Sequence, residues 1–355
     1  MGFHVYCAVC GSTFSGRGWI SIDSDDDADC TYRGEVIGDS DLSWLEHVRA
    51  LGLNPHVAAE RKSFLTGEGY HDDADAIYAY AGQDPNVPTD PDEEPPYFFC
   101  AYWDYMGNHK DKPVFPFHKA CYEEILLRCF KNEIFNGDIL YSLFEELVHE
   151  NAYRVLLLDY GEPIPLRDQY WESRKGEELL VTNPVEIPRL SKYLDELQVM
   201  VKDEMDTSRP PKMPVSPDIF DILPQELRVQ IFDLLPIASV LALKAASWSM
   251  HTVRLPRRSF ETDLPWLWEI HDINPFRSQK LEARLSKVIA ELEEQGQYTK
   301  ETVDYIPGFV NRKRIWMVCE NIKDLYHNKV AESKGHVLDS SAPLAICRAN
   351  LARNN

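Results

Sequence analysis

Basic charge is scarce in this chain. Its 58 aspartates and glutamates face only 37 lysines and arginines, for a net charge of −21. The deficit is concentrated early, where residues 1–100 carry 19 acidic and 5 basic side chains, a net −14. A surface that acidic repels phosphate backbones, so nucleic acid is not an expected partner. The late basic clusters, Arg254 to Arg258 and Arg312-Lys313-Arg314, are short and interleaved with apolar residues. They read as solvated helix faces. Long apolar runs are also missing, since none approaches the ~18 residues of a membrane span. The opening MGFHVYCAVCG has no basic stretch followed by an apolar one, so a secretory signal is not expected. Met1-Gly2 meets the first demand of a myristoylation signal, but Tyr6 stands where Ser or Thr belongs. The expectation is an intracellular protein of cytoplasm or nucleus, with no membrane partner.

Catalytic signatures are absent too. There is no Gly-x-Ser-x-Gly elbow, no Gly-rich phosphate loop and no His-Glu-x-x-His. Asp72-Asp73 and Glu145-Glu146 read as surface charge, and His71 beside Asp72, Asp73 and Asp75 reads as a solvated loop. No repeat of fixed period appears, which excludes leucine-rich, WD40 and kelch architectures. The chain is not expected to be an enzyme.

What is present is the composition of a folded protein: 355 residues, 44% apolar and 11% aromatic. That length accommodates two or three domains. Asp23 to Asp29 and the Pro/acid stretch Gly82 to Pro96 read as loops, and Asp206 to Pro217, with four prolines, reads as a linker. Apolar spacing predicts helices over Asp41 to Leu51, Pro116 to Cys129, from Asp138 onward with Asp138 as cap, and over Ile187 to Lys202. Arg154 to Asp159 reads as a short strand or a buried segment. Further helices are predicted from Ser278 to Gln295 and after Gly308. Three regions of aromatic or acidic character are candidate recognition surfaces: the acidic loops, Tyr97 to Tyr105, and the Trp266/Trp268 region.

The densest signal is LPQELRVQIFDLLPIASVLALKAASWSMHTV, Leu223 to Val253. Pro224 suits the first position of a helix. Leu227, Ile231 and Leu234/Leu235 then form one apolar stripe. Pro236 ends that helix and opens another bearing Val240, Leu241 and Leu243, and Ser247 can cap a third. Helices apolar on more than one side must be covered on more than one side. Plain helical core is the bland reading.

These residues resemble the F-box, the adaptor-binding module of cullin–RING ubiquitin ligases. The positions that carry the likeness are Leu223, Pro224, Glu226, Leu227, Ile231, Phe232, Leu234, Leu235, Val240, Leu241, Leu243 and Ser247. The resemblance implies that Leu223, Pro224, Leu227, Ile231, Leu234, Leu235, Val240, Leu241 and Leu243 dock a Skp-family adaptor. Through that adaptor the chain would join a cullin–RING ligase and present a target protein for ubiquitination. The alternatives are an F-box scaffold outside a ligase, or a zinc-stabilised protein-interaction domain.

Cysteine spacing is the second signal. Cys7-Ala-Val-Cys10-Gly11 resembles a zinc knuckle, a tight turn whose N–H groups point at two thiolates with glycine in the left-handed position just after. His118 and Cys121, three apart, would project together from one turn of helix. Cys7, Cys10, His118 and Cys121 make a closed Cys₃His set suited to structural zinc. Buried free thiols and a redox Cys-x-x-Cys are the competing readings. Cys30, Cys100, Cys129 and His4 are substitute ligands.

The order Cys7 to Gly11, Phe115 to Cys121, Leu223 segment, Asn311 to Trp316 is similar to a set of fungal F-box proteins of uncharacterised substrate. The expected fold is α+β and predominantly α-helical. A mixed N-terminal zinc module (1–205), a Pro-rich linker (206–217), a central three-helix F-box (218–258) and a C-terminal helical region (259–355) make up the expected chain.

Overall fold

A computed structural model of the chain describes residues 4–14, 20–24, 30–72, 76–90, 92–103, 112–131, 133, 135–148, 155–165, 170–204, 218–253, 264–269, 291–292, 294, 296, 298 and 305–333. It divides into two compact units, one of residues 1–186, 298–303 and 307–355, the other of 187–297 and 304–306. The linker expected at 206–217 and nearly all of the helix expected from Ser278 lie outside the described residues.

The first unit is built on a curled six-stranded antiparallel sheet. Its strands are β1 (Val48–Leu53), β2 (Ser63–Leu65), β3 (Gly69–His71), β4 (Ala76–Ala79), β5 (Tyr97–Cys100) and β6 (Phe115–His118). β1 is the spine. Leu51 faces both Leu65 and Phe115, and Val48 faces both Gly69 and His118, so β6 lies on one edge of β1 with β2 and β3 on the other. β3, β4 and β5 then follow in order. Alternation sorts the last three strands: His71, Ile77 and Phe99 are buried, while Tyr70, Tyr78 and Phe98 form a cross-strand aromatic row on the outer face.

Helices close one side of this sheet. After a four-residue α1 (Gly34–Ile37) comes α2, a π-helical turn Cys121–Leu126 that continues as α-helix Leu127–Cys129. α3 (Gly137–Leu147) buries Leu140, Tyr141, Leu143, Phe144 and Leu147, a helical stripe that meets the sheet through Phe115. Its cap is Asn136, whose Oδ1 accepts from the N–H groups of Asp138 and Ile139 at 2.9 and 3.4 Å. Asp138, expected as the cap, instead accepts from the N–H of Ser63 at 2.6 Å and ties α3 to β2.

The second unit contains α4 (Pro188–Glu204), a 3₁₀ turn (Ile219–Ile222), α5 (Gln225–Asp233), α6 (Ile237–Ala246) and α7 (Trp248–His251). Pro224 stands as the N-cap of α5, one residue ahead of the first helical position expected for it. Pro236 stands as the N-cap of α6, and the Ser247 side chain accepts from the Met250 N–H to cap α7, as expected. Asp218 fastens the 3₁₀ turn to α7, accepting from the Ser247 hydroxyl at 2.7 Å and the Ser249 N–H at 3.0 Å. α8 (Pro307–Ser333) returns to the first unit and packs on α2 and α3.

The architecture is mixed α/β, which corrects the predominantly helical fold with a central three-helix F-box. Two segments explain the difference. Asp41 to Leu51, spaced like a helix, is a 3₁₀ turn at Ser43–Leu45 followed by β1. Pro116, expected to start a helix, lies instead in β6 (Phe115–His118), hydrogen-bonded to β1 along four residue pairs. Long-range pairing settled both against local apolar spacing. In the segment expected as a three-helix module, α7 is only four residues long. No helix among the described residues is long and apolar enough to cross a membrane.

Candidate metal centre

Cys7 and Cys10 sit on a turn closed by a bridge between Tyr6 and Thr13 and by two backbone bonds, Cys7 N–H to Ser12 O (2.9 Å) and Gly11 N–H to Cys7 O (2.8 Å). Gly11 has φ +73°, and a Cβ there would meet the Tyr160 ring at 2.9 Å, so only glycine fits. N–H groups point at the sulfurs: Cys10 and His118 toward Cys7 Sγ, and Ser12 toward Cys10 Sγ, each at 3.4 Å. These are the interactions that stabilise thiolates.

β6 delivers the other two donors. His118 is its last residue and Cys121 opens α2. Ala8 N–H bonds Pro116 O at 2.8 Å, which holds the turn against β6. The donor atoms of Cys7, Cys10, His118 and Cys121 all lie within 4.8 Å of one another, and all four residues are buried. His118 Nδ1 is 3.3 Å from Cys10 Sγ and 3.8 Å from Cys121 Sγ. A tetrahedron with Zn–S of about 2.3 Å and Zn–N of about 2.05 Å requires an S···N separation of roughly 3.6 Å, between the two observed values. His118 Nε2 lies 3.0 Å from Thr13 O, so Nε2 carries the proton and Nδ1 faces the sulfurs. The imidazole is held between Phe14 and Trp44, with ring centroids at 4.6 and 4.5 Å.

Without a cation the cluster sorts its protons unevenly. Burial raises the Cys10 thiol, but hydrogen bonds from Cys121 and Cys7 and the charge on His118 outweigh it and hold it well below the ordinary thiol range. Burial opposes charge on His118, yet the sulfur charges of Cys7 and Cys10 lift it to about 10. Cys121 is pushed well up, by burial first and then by donating to its neighbours. A thiolate–imidazolium pair with a bonded thiol is a poised metal site, because a divalent cation needs only displace protons.

Sequence reading found all four donors. Of the substitutes, Cys30, Cys100 and Cys129 and also His4 lie outside the cluster. What it missed is Arg314. On α8, this residue is 5% exposed, and its guanidinium donates to Cys10 O at 2.8 Å, Tyr160 O at 2.9 Å and Asn311 Oδ1 at 2.9 Å. Arg312 is fully buried as well and donates to the carbonyls of Pro184 and Val185 at 2.6 and 2.8 Å. The basic cluster expected to be a solvated face is thus a buried clamp. The only hint in the sequence was its neighbourhood, Ile315-Trp316, too apolar for an exposed face.

Of the residues expected to meet an adaptor, Pro224, Leu227 and Leu234 are exposed, Leu223, Ile231, Leu235, Leu241 and Leu243 are half-buried, and Val240 is fully buried. Comparison with known proteins finds no matching family model, no matching curated protein and no matching solved structure.

Proposed function

We propose that Cys7, Cys10, His118 and Cys121 hold one structural zinc ion, in an intracellular protein whose work is binding rather than catalysis. The observation that carries this reading is the convergence of three buried sulfurs and one oriented imidazole within 4.8 Å. Four protein donors complete a tetrahedron and leave no position for an activated water, so the ion's chemistry would be to cross-link the N-terminal turn, β6 and α2. Metal analysis of purified protein is expected to give one zinc per chain, and Cys10→Ser to lose most of it. Zinc near zero in the wild type, unchanged by Cys10→Ser, would dispose of the reading.

A second observation favours a more specific role. Ile219, Ile222, Leu227 and Leu234 are 77%, 86%, 45% and 84% exposed. Four large aliphatic side chains so close in sequence, left in water, suit a docking surface. We infer that this surface takes a Skp-family adaptor, and that the chain is an F-box-type receptor presenting a target protein to a cullin–RING ligase. Its contribution to ubiquitin transfer would be effective concentration, with the chemistry done by partners. The adaptor should co-purify with the wild type and not with Leu227→Asp plus Leu234→Asp, both exposed and so compatible with folding. Equal recovery with both proteins, or none with either, would sink the adaptor reading and leave the zinc reading standing.

A further inference from the structure

Arg314 is a buried cation without a carboxylate. Among the described residues no Asp or Glu pairs with it; its partners are two carbonyls, the Asn311 side chain and, at 3.5 Å, the Ser12 hydroxyl. Burying an uncompensated guanidinium is costly, so such groups are normally paired. The carbonyls satisfy its N–H groups but not its charge. Two half-buried arginines show the contrast: Arg33 has Glu178, and Arg49 has Glu123.

The charge it lacks is beside it. Three thiolates, one neutral imidazole and a divalent cation sum to a net −1 on a loaded Cys₃His centre, and this centre is enclosed on all four donors. Arg314 reaches the same turn, bonding the carbonyl of the ligand Cys10 itself.

We propose that Arg314 is the counter-charge of the metal centre, a positioning residue whose guanidinium neutralises the loaded site and closes it from α8. This rests on the zinc reading above. Metal loading and docking of α8 are then coupled: each stabilises the other, because the ion creates the anionic centre that the guanidinium needs.

The test compares zinc affinity, by chelator competition on the full chain, among wild type, Arg314→Lys and Arg314→Gln. Lysine keeps the charge, whereas glutamine keeps a polar side chain and removes the charge. Loss of a partner of this kind typically weakens metal binding about 10–100-fold. Glutamine is expected to fall in that range and lysine to stay within a few-fold of wild type. Cobalt-substituted spectra should stay tetrahedral in all three, since the ligands are intact. Hydrogen exchange in α8 should quicken on metal removal in the wild type and respond less in Arg314→Gln.

Glutamine within twofold of wild type, or lysine and glutamine weakened equally, would overturn the counter-charge role. Wild type that binds no zinc would overturn the zinc reading itself, a separate result. Should Arg314→Gln fail to fold, Asn311→Asp against Asn311→Ala decides the matter. Both lose the Asn311 bond to Thr182 O, but only Asp cancels the guanidinium charge in place. Asp must then bind zinc more weakly than Ala, and equal affinities would refute the proposal.

Discussion

Glu178 offers a stringent test of the packing in the first unit. It sits on the 3₁₀ turn Glu178–Leu180 with its side chain fully buried, and four N–H groups converge on its carboxylate. Arg33 gives three of them, Nε at 2.8 Å, Nη2 at 3.2 Å and its own backbone N–H at 3.1 Å, and Gly176 N–H gives the fourth at 2.9 Å. In Glu178→Ala two backbone donors lose their acceptor at about 1 kcal/mol or more each. The guanidinium, whose side chain is 28% exposed, recovers only part of its hydration. The expected loss is about 4 kcal/mol, the range for breaking a buried pair. Glu178→Gln keeps the shape but sets an NH₂ against two donors, and should lose about 2 kcal/mol.

The sign of the pH effect follows from the same contacts. Burial pushes the carboxyl up, but Arg33 and the backbone N–H groups outweigh it and hold it below the usual range. The ionised form is therefore worth stability above the unfolded value of about 4.3, and that stability is lost as pH falls through the lower folded value. Denaturant unfolding followed by tryptophan fluorescence checks this, since Trp171 lies nearby through its 3.0 Å bond to Tyr32. The gap between wild type and Glu178→Gln should be full at neutral pH and close in acid. A Glu178→Ala protein within about 0.5 kcal/mol of wild type, outside what a broken buried pair allows, would refute the argument.

Other substitutions probe other links. Asp138→Ala removes the acceptor of the Ser63 and Lys62 N–H groups and should cost about 1–2 kcal/mol. Its carboxyl is also held low, so this difference too should shrink as pH drops below the carboxylate range, in the same unfolding assay. Gly11→Ala forces a side chain into the left-handed region against Tyr160, and chelator competition should show weaker zinc retention with the four donors unchanged. Phe144→Ala opens a cavity under Phe115 and should lower stability by about 3–5 kcal/mol, measured by the denaturation midpoint.

The four clustered donors were legible because their spacing is local: a Cys-x-x-Cys before glycine and a His-x-x-Cys each fit within one turn of chain. β1 was not. Leu42, Leu45, Val48 and Leu51 recur every three residues, and nothing within that stretch reveals that Val48 to Leu51 pair with residues 115–118. The α3 helix was legible from its apolar spacing, yet its cap fell to Asn136, since Asp138 is drawn away to β2. Arg314 was hidden for a different reason. A short basic run on a helix reads as a solvated face, and only the fold shows that its partners come from residues 10, 12 and 160.

That reach has a consequence for synthesis. Cys121, the last of the four donors to be made, emerges 193 residues before Arg314. At about 5–20 residues per second, the donors wait on the order of 10–40 s for the helix that completes their enclosure. A growing chain whose thiols met within that interval would hold them open to oxidation and to competing soft cations. The yield of folded protein should accordingly track the zinc and reductant available to the translating cell.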